Sequence, residues 1–227
     1  MSLAKQRKIS LMENENSSHI DLYTRATPNG RKVSIILEEL GLPYKVWPID
    51  IMAGDQHQPD FVRFSPNNKI PAIIDHETGV RLMESCAILM YLAKKAGRFI
   101  STDADKYWEE MQWLMFQTSH VGPMLGQTHH FVKFNPGKAP YAEERYKTEN
   151  ARLYKVLEAR LKDREFICDT YSIVDIATWP WISRFEFQQM NLNDFPRLKE
   201  WYLRIAARPA VRRGYSVPQN QPVPVPI

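Results

Sequence analysis

The chain has 227 residues, 44% apolar and 25% charged, with 30 Lys+Arg against 26 Asp+Glu for a net charge of +4. That length holds one large domain or two small ones, and the composition excludes wholesale disorder, collagen-like repeats and coiled coil. No apolar run reaches the ~18 residues of a membrane span, no basic stripe points to nucleic acid, and the two cysteines, Cys86 and Cys168, are too few for a disulfide scaffold or a Cys-rich zinc site; a reducing cytoplasm is the default compartment.

Residues 1–18 are polar, basic at first, and lack apolar periodicity. They read as a mobile extension outside the fold. Ile20-Asp21-Leu22-Tyr23-Thr24 alternates and is rich in strand formers, so a strand is expected. Ala26-Thr27-Pro28-Asn29-Gly30 reads as a turn. From Arg31 the period changes: Val33, Ile36, Leu37 and Leu40 fall on one helix face, and Gly41 ends the run. Tyr44 to Asp50 reads as a second strand. Residues 51–68 are turn-rich, with Phe61 and Phe64 on a short helix. Residues 72–75 and 80–83 are two short strands joined by a hairpin-sized loop. Glu84 to Lys95 returns to helical period, apolar on two sides and therefore buried on two sides.

This order, β-α-β, a linker, then β-β-α, predicts a parallel strand pair followed by an antiparallel hairpin. It is the thioredoxin-like pattern, here over 19–100. From Asp103 no strand is evident. Helical periods run near 104–126, 141–161, 173–190 and 194–207, in an all-α segment spanning 101–215. Ser172 and Asp175 form a capping box. Arg208-Pro209 closes the last helix, and 216–227 is a Pro-rich, extended tail.

Several motifs narrow this outline. They are Lys69-Ile70-Pro71-Ala72, Glu84-Ser85 and Ser172-x-x-Asp175, with the turn before the first helix. On these the sequence resembles the glutathione transferase superfamily over roughly 19–215. Within it, Thr27-Pro28-Asn29-Gly30, Ser65 to Ile73, Gly122-Pro123-Met124-Leu125-Gly126 with His129-His130-Phe131, and Ile176 to Trp181 resemble the nu class. Those are bacterial enzymes related to yeast nitrogen-regulator-like transferases.

The resemblance implies a site, and each residue also has a plain reading. Pro71 at a strand start is awkward; by spacing it is an ordinary strand-start proline, while the family implies a cis Ile70-Pro71 bond whose Ile70 backbone pairs with an extended peptide ligand. Glu84-Ser85 opens a helix. It can be a simple cap, or it can hold the α-amino acid end of a γ-glutamyl group: N–H groups and the Ser85 hydroxyl for the carboxylate, Glu84 for the ammonium. Lys69 and Gln56 are candidate partners for the glycyl end and the tripeptide backbone, with a solvated lysine as the competing reading. Thr27 and Asn29 are favoured helix caps; they are also donors placed where a thiol ionises readily. Tyr23, inside the strand, is read as structural, and Cys86 and Cys168 as small buried hydrophobes. Arg145, in a run of solvated charges, matches an arginine that reaches glutathione in the nu class. His129-His130, after what reads as a helix-breaking Gly-rich stretch, carry no zinc site.

The implied function is glutathione-dependent disulfide-bond reduction, with Thr27 and Asn29 stabilising a glutathione thiolate and no protein cysteine in the reaction. Two glutathiones or one glutathione disulfide would occupy the site, with no metal, and the protein would be a homodimer binding neither nucleic acid nor membrane. The competing readings are a conventional transferase that conjugates glutathione to electrophiles and a non-catalytic glutathione-binding regulator.

Overall fold

The computed structural model describes residues 19–226. The expected mobile extension at 1–18 lies outside the described residues. The first half runs β1 (Ile20–Thr24), α1 (Pro28–Leu40), β2 (Tyr44–Pro48), α2 (Pro59–Val62), β3 (Ala72–Asp75), β4 (Arg81–Met83) and α3 (Ser85–Ala96). The sheet order is β2-β1-β3-β4, with β1 and β2 parallel and the other pairs antiparallel. This is the thioredoxin-like arrangement expected from the sequence. β2 stops at Pro48, short of Asp50, because proline ends a ladder.

Period-two alternation divides the sheet into two apolar faces. Ile20, Leu22 and Ile73 join a large core with α1 and α3 residues such as Ile36 and Leu89. Tyr23, Ala72 and Ile74 face a smaller cluster with Phe61 and Phe64. Tyr23 is 1% exposed, and burial raises its phenol pKa, so it is structural as expected.

The second half is helical among the described residues. It comprises α4 (Ala104–Phe116), α5 (Gly122–Thr128), α6 (Pro140–Arg160), α7 (Ile173–Ile182), α8 (Pro196–Ala206) and α9 (Pro209–Tyr215). Three boundaries differ from the sequence reading. The glycine-containing stretch at 122–126 does not break the helix; it is α5, joined to α4 by a wide π turn over Gln117–Val121 and followed by another over His129–Phe134. Its glycines serve close packing, with ordinary helical backbone at Gly122. The helix expected over 173–190 ends at Ile182. Pro209 opens a further helix, where the missing N–H has no cost.

α9 fixes α1 from behind. A Cβ on Gly214 would stand 2.6 Å from the Ile35 Cα, so only glycine fits there. Ser34 Oγ donates to the Gly214 carbonyl at 2.7 Å, and the buried Arg31 guanidinium stacks on Tyr215 at 3.5 Å and donates to its carbonyl at 3.2 Å. The helix whose start forms the site is thus clamped by the end of the chain.

Candidate active site

α1 begins at the carboxyl end of β1. Thr27 caps it in extended conformation, its Oγ1 accepting from Gly30 N at 3.1 Å, with Pro28 in the first turn. The Thr27 hydroxyl proton remains available to donate. A Cβ on Gly30 would stand 2.2 Å from the Arg25 carbonyl, so glycine is required for the tight approach. Asn29 lies in the first turn. Its Oδ1 accepts from Trp181 Nε1 at 3.0 Å, across from α7. Nδ2 is left as a pair of donors beside the free N–H groups of the helix start.

The opposite wall is the start of β3 and of α3. The Ile70–Pro71 bond is cis, as the resemblance implied. Among the described residues no hydrogen bond engages the Ile70 N–H or C=O, since β3 pairing begins at Ala72. Glu84 has φ 68 and ψ 109, a left-handed conformation that costs a non-glycine residue about 1–3 kcal/mol and concentrates at functional sites. It makes no side-chain cap; Asn67 Nδ2 donates to its Oε1 at 3.4 Å. Ser85 opens α3. Asn29, Lys69, Ile70, Pro71, Glu84 and Ser85 all line one cavity of about 270 Å³.

A lysine lies beneath this wall. Lys32 is 2% exposed, and its Nζ donates to Ser85 Oγ at 3.3 Å, Gln117 Oε1 at 2.9 Å and Cys86 Sγ at 3.6 Å. Burial lowers its pKa, opposed by Cys86 and Glu84. No carboxylate among the described residues hydrogen-bonds it. With its oxygen accepting from Lys32, the Ser85 hydroxyl proton is free to point into the cavity. The site therefore offers a helix start, a hydroxyl and a nearby buried amine to a carboxylate, and a strand edge to an extended peptide.

Models of the glutathione S-transferase N-terminal and C-terminal domains match residues 26–95 and 121–209. The disulfide-bond oxidoreductase YfcG of Escherichia coli (strain K12) is 46% identical over 197 residues, covering 84% of this chain and 92% of the relative. The chain belongs to the glutathione S-transferase family. Among solved family structures, a glutathione transferase from Pseudomonas putida with one glutathione disulfide bound per subunit superposes with TM-score 0.82 at 39% identity, covering 88% of this chain and 92% of the other. One from Burkholderia graminis with two glutathione molecules per subunit gives 0.83 at 44% identity, covering 90% of each.

The remaining expected residues of this transferase are more scattered. Gln56 lies in a short 3₁₀ turn, its Nε2 donating to the Ile51 carbonyl at 3.3 Å and its Oε1 buried without a partner. Arg145 lines a different cavity, of about 430 Å³, with Met124, Tyr141 and Tyr146. Thr27, Gln56 and Arg145 do not line the cavity that Asn29 and Ser85 share. Cys86 is buried as expected, but it is not merely a hydrophobe: its thiol donates to Gln117 Oε1 at 3.3 Å. Burial pushes the Cys168 thiol up to about 12. At the far end of the sheet, His19 and His76 both bond Asp21, at 3.2 and 3.0 Å, and tie the start of β1 to the end of β3. Sequence reasoning missed Lys32 and the role of Trp181, because a hydrogen bond between distant segments leaves no periodic signal.

Proposed function

We propose that this transferase is a glutathione-dependent disulfide-bond oxidoreductase whose reactive sulfur is carried by bound glutathione. The observation that carries this reading is the cavity between the starts of α1 and α3, which has donors for a tripeptide and no cysteine in its lining. In this reading the γ-glutamyl carboxylate rests on the start of α3 and the Ser85 hydroxyl, and its ammonium meets Glu84. The ligand backbone pairs with the Ile70 N–H and C=O as a short added strand. Lys69 and Gln56 take the glycyl end, and Arg145 approaches from the helical half. Thr27 and Asn29 donate to the sulfur, where the α1 dipole favours thiolate.

The thiolate attacks one sulfur of the substrate disulfide. A bond to glutathione forms as the old S–S bond breaks, and the electron pair leaves on the other sulfur, which takes a proton from solvent. A second glutathione thiolate then attacks the glutathionyl sulfur of the mixed disulfide. This releases the second substrate thiol and glutathione disulfide, so two glutathiones are oxidised for each disulfide reduced. A site that accepts two glutathiones, or one glutathione disulfide, fits both the second step and its product.

Three finer inferences accompany this one. The division into a glutathione-binding segment over 19–100, a helical segment over 101–215 and a tail follows the family outline. A homodimer is supported by Trp108 and Met115, exposed two turns apart on one face of α4. Reduced, buried cysteines suit a cytoplasmic setting, and no described helix is long and apolar enough to cross a membrane.

The test is turnover with glutathione on a small disulfide and on an aryl halide, measured side by side in wild type and in a Cys86→Ala/Cys168→Ala double variant. Dominant disulfide turnover, retained in the folded double variant, is expected. Dominant aryl conjugation would make the protein a conventional transferase. Loss of activity in the folded double variant would place the reactive sulfur on the protein.

A further inference from the structure

We infer that Trp181 is the positioning residue that decides which end of the Asn29 amide faces the glutathione sulfur. The inference rests on the oxidoreductase reading above and adds a residue to it. A side-chain amide can turn over, exchanging a donor for an acceptor, and an oxygen turned toward a thiolate would repel it. The indole N–H is a donor only, so it bonds Oδ1 and never Nδ2. At 3.0 Å from Asn29 Oδ1, Trp181 Nε1 therefore holds Nδ2 as the end left for the ligand.

The indole is itself held by motifs to which the reaction assigns no other role. Gly122 and Gly126, one helical turn apart on α5, form a shelf for it. A Cβ at Gly122 would stand 3.3 Å from Trp181 Nε1, and one at Gly126 3.3 Å from Cη2. His129, the next residue along this side of the helix, stacks on the indole with centroids 5.8 Å apart at 27°. Gln188 Nε2 donates to the Trp181 carbonyl at 2.8 Å and contacts His129 Nε2 at 3.2 Å. Tyr154 in turn donates to Gln188 Oε1. The helical half thus builds a rigid seat for one indole, and that indole reaches across to the first turn of α1.

The experiment compares four full-length variants by glutathione titration of ultraviolet thiolate absorbance against pH, with kcat and KM for glutathione. Trp181→Phe keeps the ring and loses the N–H. It should raise the pH at which bound glutathione ionises and lower kcat about tenfold, the value of one hydrogen bond to a charged group, with KM for glutathione nearly unchanged. Trp179→Phe removes an equivalent indole-to-carbonyl bond, to Tyr202 at 3.0 Å, from the same helix, and should leave the ionisation in place. Gly126→Ala, which displaces the indole without touching its N–H, should shift the ionisation in the same direction and serves if Trp181→Phe does not fold. An unshifted ionisation in Trp181→Phe, or an equal shift in Trp179→Phe, would overturn the inference. Asn29→Ala separates the levels. If it raises the ionisation pH while Trp181→Phe does not, only the role of Trp181 fails. If Asn29→Ala also leaves it unmoved, the sulfur-binding role of Asn29 fails first, and the inference with it.

Discussion

Lys32 shows how a side chain outside a pocket can set which groups the pocket presents. Its Nζ donates to the Ser85 oxygen, which leaves the hydroxyl proton free to point into the cavity, and it brings a buried amine beneath the expected carboxylate. Lys32→Met should therefore raise KM for glutathione about tenfold, the value of one charge-assisted hydrogen bond, with a smaller effect on kcat. Steady-state kinetics check this, and an unchanged KM in the folded variant would remove Lys32 from the site. Glu84 and Ser85 were singled out only through the family resemblance, because a polar pair where a strand becomes a helix reads by itself as an ordinary cap. Lys32 was not. It flanks the apolar stripe of Val33, Ile36, Leu37 and Leu40, and a lysine on that flank reads as solvated until a neighbouring helix is known to cover it.

At the scale of elements, the site depends on where α1 points, and α9 sets that. Gly214→Ala would drive a methyl into the Ile35 backbone, which cannot move as a side-chain tip could. Overpacking of this kind costs about 1–3 kcal/mol, so the thermal midpoint should fall, and glutathione affinity with it as the α1 start shifts. Calorimetry and binding measurements check the pair; a wild-type midpoint would show that α1 and α9 can part without cost. The strands and the helices α1 and α3 were readable from period alone. The helical period over 104–126 reached most of α5, but its glycines, spaced four apart, read as a break after it when their reason is an indole on the far side. α9 was not readable, because a proline ends one helix and starts another with the same residue.

At the scale of the whole molecule, the start of α1 is held by residues of both halves. Arg184 donates to the Ala26 carbonyl at 3.2 Å, and Trp181 to Asn29. His129 sits beneath this junction, and burial, reinforced by the Arg184 charge, holds its pKa at about 4 against the usual 6.5. The neutral ring suits its neighbours, since Nε2 can accept from Gln188 while the ring stacks on the indole. A depressed pKa means that the unfolded chain takes up the proton first. The stability this group contributes is complete above about pH 6.5, declines as pH falls toward 4 and is gone below it. Its full size is about 3 kcal/mol by the usual conversion. His129→Gln has no proton to gain in that window. Its unfolding free energy, measured by denaturant titration from pH 7 to 4, should therefore fall less steeply with acid than that of wild type. Parallel acid profiles for the two proteins would show that the imidazole does not govern the junction. In the folded protein His129 gains its proton only as pH falls to about 4, so the stacked imidazole beneath Trp181 stays neutral through the window in which stability declines, and the folded fraction of wild type should keep its glutathione affinity down to that pH.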